Sequence, residues 1–435
     1  MIKQLRKLPS WLTTAAGLIL FYAVIQFIIS KGWITEYVAQ VLQWAGIMTI
    51  SSLGLNLIYG FNGQFSLGHI GFYAIGAYTS ALITKDWFAT WSGSRVGALS
   101  GVIALDAGLL VTLVMLNLMH IDTIQKRLKA AISRWLNHFE TSVLSGIVTF
   151  LLALVAIVAG MVVGWLLWKM LPPALEAVLG LLPAEIARQV VFGLALILGA
   201  ILAAVVGLVV GQPLLKLASD YFGIATLGFA IGLYVLLQNS DKVIPTMKGA
   251  RGMVGIPVWT NWFWVFLCAA LVIVAMRNLI YSSVGRAIVS VREDEIAAKA
   301  MGIDVARYKT VAFTIGCLFA GLAGGLFAHK SPGFLHPSSF DFLKGFDPLI
   351  VIVFGGLGSM TGTIVASTGW AFLLEGLRVV LPRGFEAWRF VIYPVLLLII
   401  MLLRPQGLLG GIEWGFLKPP KVKERAEDSN EGEQI

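Results

Sequence analysis

The most unusual polar residues of the chain lie within apolar sequence of membrane length, between residues 54 and 71. Repeated glycines interrupt this stretch, and its polar side chains would be costly on a helix that faced lipid throughout. Broken helices are tolerated where they line a cavity, and their ends can hold a polar solute or its carboxylate. The pattern predicts a solute pathway; an ordinary short loop between two spans, with a histidine bonded to a neighbouring helix, is the alternative. The predicted pathway residues here are Asn56, Gly60, Asn62, Gly63, Gln64, Ser66 and His69.

A second glycine cluster interrupts the apolar stretch 346–380, which is too long for one crossing of a bilayer core about 30 Å thick. Asp347 and Pro348 ahead of it form a good helix start. We predict a break near Ser359 and a second part of the pathway; a tight glycine turn on the cytoplasmic side would explain the same residues. The pathway residues predicted here are Gly355, Gly356, Gly358 and Ser359.

A charged segment between two predicted spans, residues 283–304, has helical composition. Glu295 and Lys299 have the i, i+4 spacing of a helical ion pair, and Gly302 is a suitable C-terminal stop. A polar helix that projects between spans suits docking into a groove on another protein; a solvated surface helix is the alternative. The predicted docking residues are Arg286, Arg292, Glu293, Asp294, Glu295, Ala297, Ala298 and Gly302.

The composition identifies the elements that must position these residues. Only 13% of the 435 residues are charged and 58% are hydrophobic, which predicts an all-α polytopic membrane protein with about 11–12 transmembrane or half-spanning helices. The net charge of +9 does not indicate nucleic-acid binding, because most basic residues lie between apolar runs. Their distribution favours cytoplasmic N- and C-termini. Cys268 and Cys317 lie inside apolar segments, so we predict neither a disulfide nor a metal site.

The apolar segments and loops divide the chain into five regions. Two helices carry small residues at four-residue spacing, 199–211 and 316–328, and we expect these faces to pack closely, within the chain or between subunits. The five regions are 1–35, an N-terminal segment with the first span; 36–85, helices with a glycine-rich break; 86–215, additional spans with an amphipathic surface helix at 120–140; 216–405, a core domain with the loop 277–309; and 406–435, a disordered cytoplasmic tail.

The loop resembles the "EAA" loop of ABC import permeases, since a charged helix with paired alanines is followed four residues later by glycine. With 63–69, 221–229, 320–324 and 355–362, it resembles the LivM-type branched-chain amino acid permeases. One departure is Ile296, which stands where general importers have glutamate.

The resemblance implies a permease fold with broken helices and a multi-pass location in the bacterial cytoplasmic (inner) membrane. It implies import of leucine, isoleucine or valine through a pathway shared with a second, LivH-like permease. A periplasmic substrate-binding protein and two ATPase subunits, which dock on the loop, are the other implied partners.

The chain contains no Gly-Lys dipeptide and so no Walker A phosphate loop. We therefore expect no ATPase site and no cofactor bound by this chain, with ATP-Mg held by the partner subunits. A urea or short-amide permease of the same family is the nearest alternative. A stand-alone secondary transporter is more distant, because it needs membrane-embedded carboxylates and only Asp106 and Glu375 are available. Asp106 has no evident partner in the sequence, whereas Glu375 can pair with Arg378.

Overall fold

The computed structural model describes residues 10–90, 94–119, 141–215, 217, 219–380, 391, 395, 398–399, 402–404 and 406–418. Across these residues the chain is helical, and its only β-structure is an isolated bridge between Met253 and Leu335. The predicted amphipathic helix at 120–140 and the tail residues 419–435 lie outside the described residues. The all-α prediction is confirmed.

Thirteen α-helices are described within those ranges, and seven helical segments are long and apolar enough to cross a membrane. The helices are α1 (Ser10–Ser30), α2 (Glu36–Leu55), α3 (His69–Ala89), α4 (Gly97–Met119), α5 (Thr141–Gly180), α6 (Ala184–Leu214), α7 (Ser219–Gln238), α8 (Trp262–Tyr281), α9 (Ser283–Glu293), α10 (Glu295–Ala300), α11 (Val305–Ala328), α12 (Phe346–Gly355) and α13 (Met360–Val380). The seven segments are Glu36–Phe61, Gly97–Leu116, Ala153–Gly180, Ala184–Leu214, Tyr221–Gln238, Trp262–Tyr281 and Val305–Ala328.

Helices α2, α3, α6 and α11 form the centre of the molecule, and their glycines allow the backbones to meet. A Cβ atom on Gly199 would lie 2.9 Å from the Gly76 carbonyl oxygen, and one on Gly207 would lie 2.7 Å from the Cys317 sulfur. Close approach of this kind replaces the hydrophobic drive that lipid does not supply. The two predicted small-residue faces therefore pack within the chain.

Two apolar runs of the sequence, 65–84 and 142–171, differ in extent from the helices that contain them. Helix α3 begins only at His69, so the first four residues of the run 65–84 are not helical. Helix α5 continues past residue 171, through Pro172 and Pro173, to Gly180. The added turns bury Leu179 against Ile83 and other apolar side chains, which favours continuing the helix.

After α11 the chain turns back into the bundle. Two 3-10 turns, Pro337–Phe340 and Phe342–Gly345, lead to α12, which has 10 residues and is about 15 Å long, half of a bilayer core. Helix α12 ends at Gly355 and α13 begins at Met360, so the predicted break near Ser359 is present.

The segment 406–418 packs against this break. The Leu408 amide donates to the Phe354 carbonyl over 2.8 Å, and the Met360 amide donates to the Glu413 carboxylate over 2.7 Å. The prediction of a disordered tail is wrong for these residues, because the turn between α12 and α13 leaves helix-end groups that need hydrogen-bond partners.

Candidate functional site

The first predicted break is a change of helix type followed by non-helical chain. Helix α2 ends at Leu55 and continues as one π-helical turn, Asn56–Phe61, before an irregular segment reaches α3 at His69. Gly63 has a φ of +75°, a conformation that L side chains rarely adopt. π-Helical turns occur often at functional sites, since they widen the helix and redirect its side chains.

The Asn56 side chain joins the two breaks. Its Nδ2 donates to the Ser359 carbonyl over 3.0 Å and to the Thr363 hydroxyl over 2.8 Å. Its Oδ1 accepts from the Gly358 amide over 2.9 Å. Asn56 is fully buried, so these bonds compensate for removing a polar amide from water.

Glycine is required where the two breaks touch. A Cβ atom on Gly60 would lie 2.6 Å from the Gly358 backbone nitrogen. Gly356 and Gly358 have φ angles of +110° and +77°. The second break is a tight glycine turn that lies directly against the first break.

Arg292 of α9 reaches this contact from the charged segment. Its Nη1 donates to the Gly60 carbonyl over 2.6 Å, and a Cβ atom on Gly358 would lie 2.8 Å from the same nitrogen. Its Cγ lies 3.3 Å from the Cβ position of Gly63. The structure therefore brings the predicted docking segment into direct contact with both glycine breaks.

Several polar atoms of the first break are buried without a hydrogen-bond partner. They are both side-chain polar atoms of Asn62, Oε1 of Gln64, Oγ of Ser66 and Nδ1 of His69, whose Nε2 lies 2.9 Å from the Ser51 carbonyl oxygen. Buried polar atoms in proteins are nearly always paired, so these groups need water or a polar solute. A cavity of about 20 Å³, room for one water molecule, touches Gln64.

The charged segment forms two short helices. Asp294 ends α9 and caps α10, with its carboxylate accepting from the amides of Ile296 and Ala297 over 2.8 and 3.0 Å. Gly302, at a φ of +82°, ends this turn of chain as predicted. The expected ion pair between Glu295 and Lys299 is replaced by one between Glu295 and Lys309, since the turn brings the start of α11 beside α10.

The remaining docking residues differ in exposure. Ala298 is buried, whereas Ala297 and Glu293 are exposed. Arg286 donates to the carbonyl of Tyr281 over 3.1 Å, close to its own helix. Ile296 and Met301, which the prediction did not include, are 83% and 82% exposed, the largest apolar exposure on this segment.

Glu375, Arg378 and Asp106 are charged residues within apolar segments, and the structure shows what surrounds them. The Glu375–Arg378 pair forms at 3.6 Å, and the Tyr37 hydroxyl donates to Glu375 over 2.9 Å. Both carboxylate oxygens of Asp106 are buried without a partner. Within the described residues, no group of three or more His, Cys, Asp or Glu side chains could hold a metal ion.

Comparison with known proteins identifies the family. The model of the "Branched-chain amino acid transport system / permease component" family matches residues 37–192 and 155–401. The chain belongs to this family of transport permease components. With its apolar helices, this makes it a multi-pass membrane protein.

Three relatives illustrate the similarity. The chain is 34% identical over 228 residues to the "High-affinity branched-chain amino acid transport system permease protein LivM" of Salmonella typhimurium, covering 45% of this chain and 52% of the relative. It is 33% identical over 231 residues to LivM of Escherichia coli, with the same coverage. It is 27% identical over 198 residues to LivH of Escherichia coli, covering 42% of this chain and 62% of the relative. The chain thus spans about half the length of the LivM relatives that it matches. No solved structure matches the chain.

Proposed function

We propose that this protein is the transmembrane permease subunit of an ATP-driven importer for branched-chain amino acids. The observation that carries the proposal is the contact of Arg292 with Gly60, which connects an exposed charged segment to a broken helix in the membrane. A permease powered by a separate subunit needs a connection of this kind. The family membership and the LivM and LivH relatives support leucine, isoleucine and valine as the substrates.

The proposed complex has a LivH-like permease as the second half of the pathway and two ATPase subunits at α9 and α10. The exposed side chains of Ile296 and Met301 offer an apolar contact for an ATPase groove. ATP and magnesium are held and hydrolysed by those subunits, and this chain binds no cofactor. In this arrangement α9, α10 and both chain termini face the cytoplasm of a bacterium, across its inner membrane.

A substrate-binding protein delivers the amino acid on the opposite face, which in this arrangement carries the loop 239–261 and the first part of the segment 329–345. ATP-driven closure of the ATPase subunits moves α9 and α10, and Arg292 carries this movement to the two breaks. The inward-open state then gains population because the ATP-bound ATPase pair binds it more tightly. The polar atoms of Asn62, Gln64 and Ser66 supply hydrogen bonds to water or solute as the breaks separate.

Reconstitution of the chain with the four partner proteins in proteoliposomes tests the proposal. We expect ATP-dependent uptake of radiolabelled leucine, and stimulation of ATPase activity by the leucine-loaded binding protein. Deletion of residues 285–304 should abolish both. Stimulation by urea but not by leucine would replace the substrate class with amides. Leucine uptake that continues without ATP after the deletion would refute the importer.

A further inference from the structure

A cavity of about 240 Å³ lies where α12 begins, next to the first turn of α3. Its apolar walls are Trp44, Met48, Ile70 and Phe327, and two charged side chains of the re-entrant chain, Lys344 and Asp347, also line it. None of these residues belongs to the glycine breaks or to the charged segment described above.

The packing of glycines locates this cavity near the middle of the bundle. A Cβ atom on Gly54 would lie 2.8 Å from the carbonyl of Gly316, which is halfway along the 24-residue helix α11. The same Cβ position lies 3.2 Å from the ring of His69, the first residue of α3. A Cβ atom on Gly345 would lie 3.2 Å from Ile70, the next residue. The start of α12 and the start of α3 therefore meet at mid-depth.

Charged side chains at mid-depth need a reason, because an ionised group there is expensive unless it pairs or faces a polar cavity. Asp347 is half-buried and contacts Trp370, and Lys344 is close enough to act on its carboxylate electrostatically. One face of the cavity thus carries a positive and a negative group three residues apart, and the Tyr73 side chain and Ser339 add polar groups beside them.

The size of the cavity limits its ligand. At about 240 Å³ the cavity has room for a small solute of several non-hydrogen atoms rather than for a single water molecule. Aliphatic amino acids such as valine and leucine have this size. A neutral amide has no ionised groups to pair with Lys344 and Asp347, so it would form weaker hydrogen bonds there than a zwitterion forms.

We propose that this cavity binds the transported amino acid as a zwitterion during its passage. The ammonium group pairs with Asp347, the carboxylate pairs with Lys344 near the positive end of α12, and the aliphatic side chain packs against Trp44, Met48 and Ile70. This assignment deepens the proposed function and rests on it. It adds a substrate contact inside the permease to the selection made by the binding protein.

Photolabelling of the reconstituted complex tests the assignment. The probe is leucine that carries a diazirine in its side chain, and labelled peptides are identified by mass spectrometry. In a complex that takes up leucine, we expect labelling of peptides that contain residues 44–48 or 70–73, and competition by leucine but not by urea. Active uptake without labelling of these peptides would overturn the assignment.

Two variants sharpen the test. Asp347→Asn should reduce labelling and uptake by roughly tenfold, the lower range for loss of a charged hydrogen-bond partner. The ATPase activity should still respond to the loaded binding protein. Asp341→Asn is the control, because its carboxylate caps the 3-10 turn Phe342–Gly345 through the Phe342 amide and does not line the cavity. Ile70→Ala should change the preference between valine and leucine by roughly tenfold.

The outcomes distinguish failure of the cavity assignment from failure of the proposed importer function. If Asp347→Asn and Ile70→Ala insert normally and keep wild-type labelling and selectivity, the cavity assignment is wrong and the importer stands. If the wild-type complex takes up no branched-chain amino acid, the proposed function fails and the cavity assignment fails with it. The wild-type labelling pattern decides the question even where a variant does not fold.

Discussion

Arg292 donates a hydrogen bond from Nη1 to the carbonyl oxygen of Gly60 over 2.6 Å, although the two residues are 232 positions apart in the chain. The Arg292 side chain extends away from its own helix, α9, and its guanidinium lies next to the contact between the two glycine breaks. A rigid, planar donor is well suited to this role, because it can contact two backbone segments at once. Movement of α9 therefore acts directly on the backbone at Gly60 and Gly358.

Replacing this guanidinium should uncouple ATP hydrolysis from uptake. We expect Arg292→Lys to lower ATP-driven leucine uptake by roughly tenfold, because a hydrogen bond of a charged donor contributes about 1.5–3 kcal/mol. ATPase activity in the assembled complex should change much less. Arg188→Lys is the control, since Arg188 pairs with Glu185 on the same helix, α6, outside the charged segment and the glycine breaks. Equal uptake by both variants would argue against the link.

The contact between the breaks should not tolerate a methyl group. Gly358→Ala places a Cβ atom 2.8 Å from Arg292 Nη1 at a φ of +77°, so we expect a loss of about 1–3 kcal/mol in stability. Thermal unfolding in detergent measures this change. Gly369→Ala on α13 is the control, because no atom lies within 4 Å of its Cβ position. A control as destabilised as Gly358→Ala would show that the breaks are not special.

Glu413 should stabilise the start of α13. Its carboxylate accepts from the amides of Met360 and Thr361 over 2.7 and 3.1 Å, and from the Thr361 hydroxyl over 2.5 Å. Loss of such a cap costs about 1 kcal/mol, so Glu413→Ala should speed hydrogen exchange at residues 360–363. Glu185→Ala provides the comparison, because the partner of Glu185 within the described residues is the surface residue Arg188. Unchanged hydrogen exchange in Glu413→Ala would show that Glu413 does not stabilise the start of α13.

The apolar tip of the charged segment should decide binding of the ATPase. We expect Ile296→Ser and Met301→Ser each to weaken binding of the isolated ATPase subunit by about 1 kcal/mol or more. Val243→Ser is the control, since Val243 is equally exposed, at 83%, in the loop that follows the C-terminal end of α7, outside the charged segment. Binding to permease in nanodiscs measures the effect. Wild-type affinity in both tip variants would shift the contact elsewhere on α9 or α10.

The helix breaks could be predicted because their signal is local. Glycines and polar side chains inside membrane-length apolar sequence are expensive on a helix that faces lipid, so residues 54–71 and the stretch 346–380 indicated interruptions of the helix. The half-length of α12 was not predicted, because the break was placed near Ser359 without the end of the helix at Gly355. The small-residue spacing also predicted close packing, although not that both faces would meet inside one chain.

The contacts between distant segments could not be predicted in this way. No local pattern relates Asn56 to Ser359, or indicates that Arg292 turns towards the membrane while Ile296 turns away from it. Glu413 lies in a segment without helical periodicity, so its capping role had no sequence signal beyond the need of α13 for an N-terminal partner. The Glu295–Lys309 pair replaced the predicted one because a turn at Gly302 outweighs helical spacing.

The hydrogen bond from Asn56 to Ser359 also sets an order of events during biosynthesis. The two residues are 303 positions apart, and a ribosome adds roughly 5–20 residues per second, so Asn56 emerges at least about 15 s before its partner. During that interval the amide lacks the three partners that it has in the folded protein, so the contact between the two breaks forms only after the start of α13 has been made.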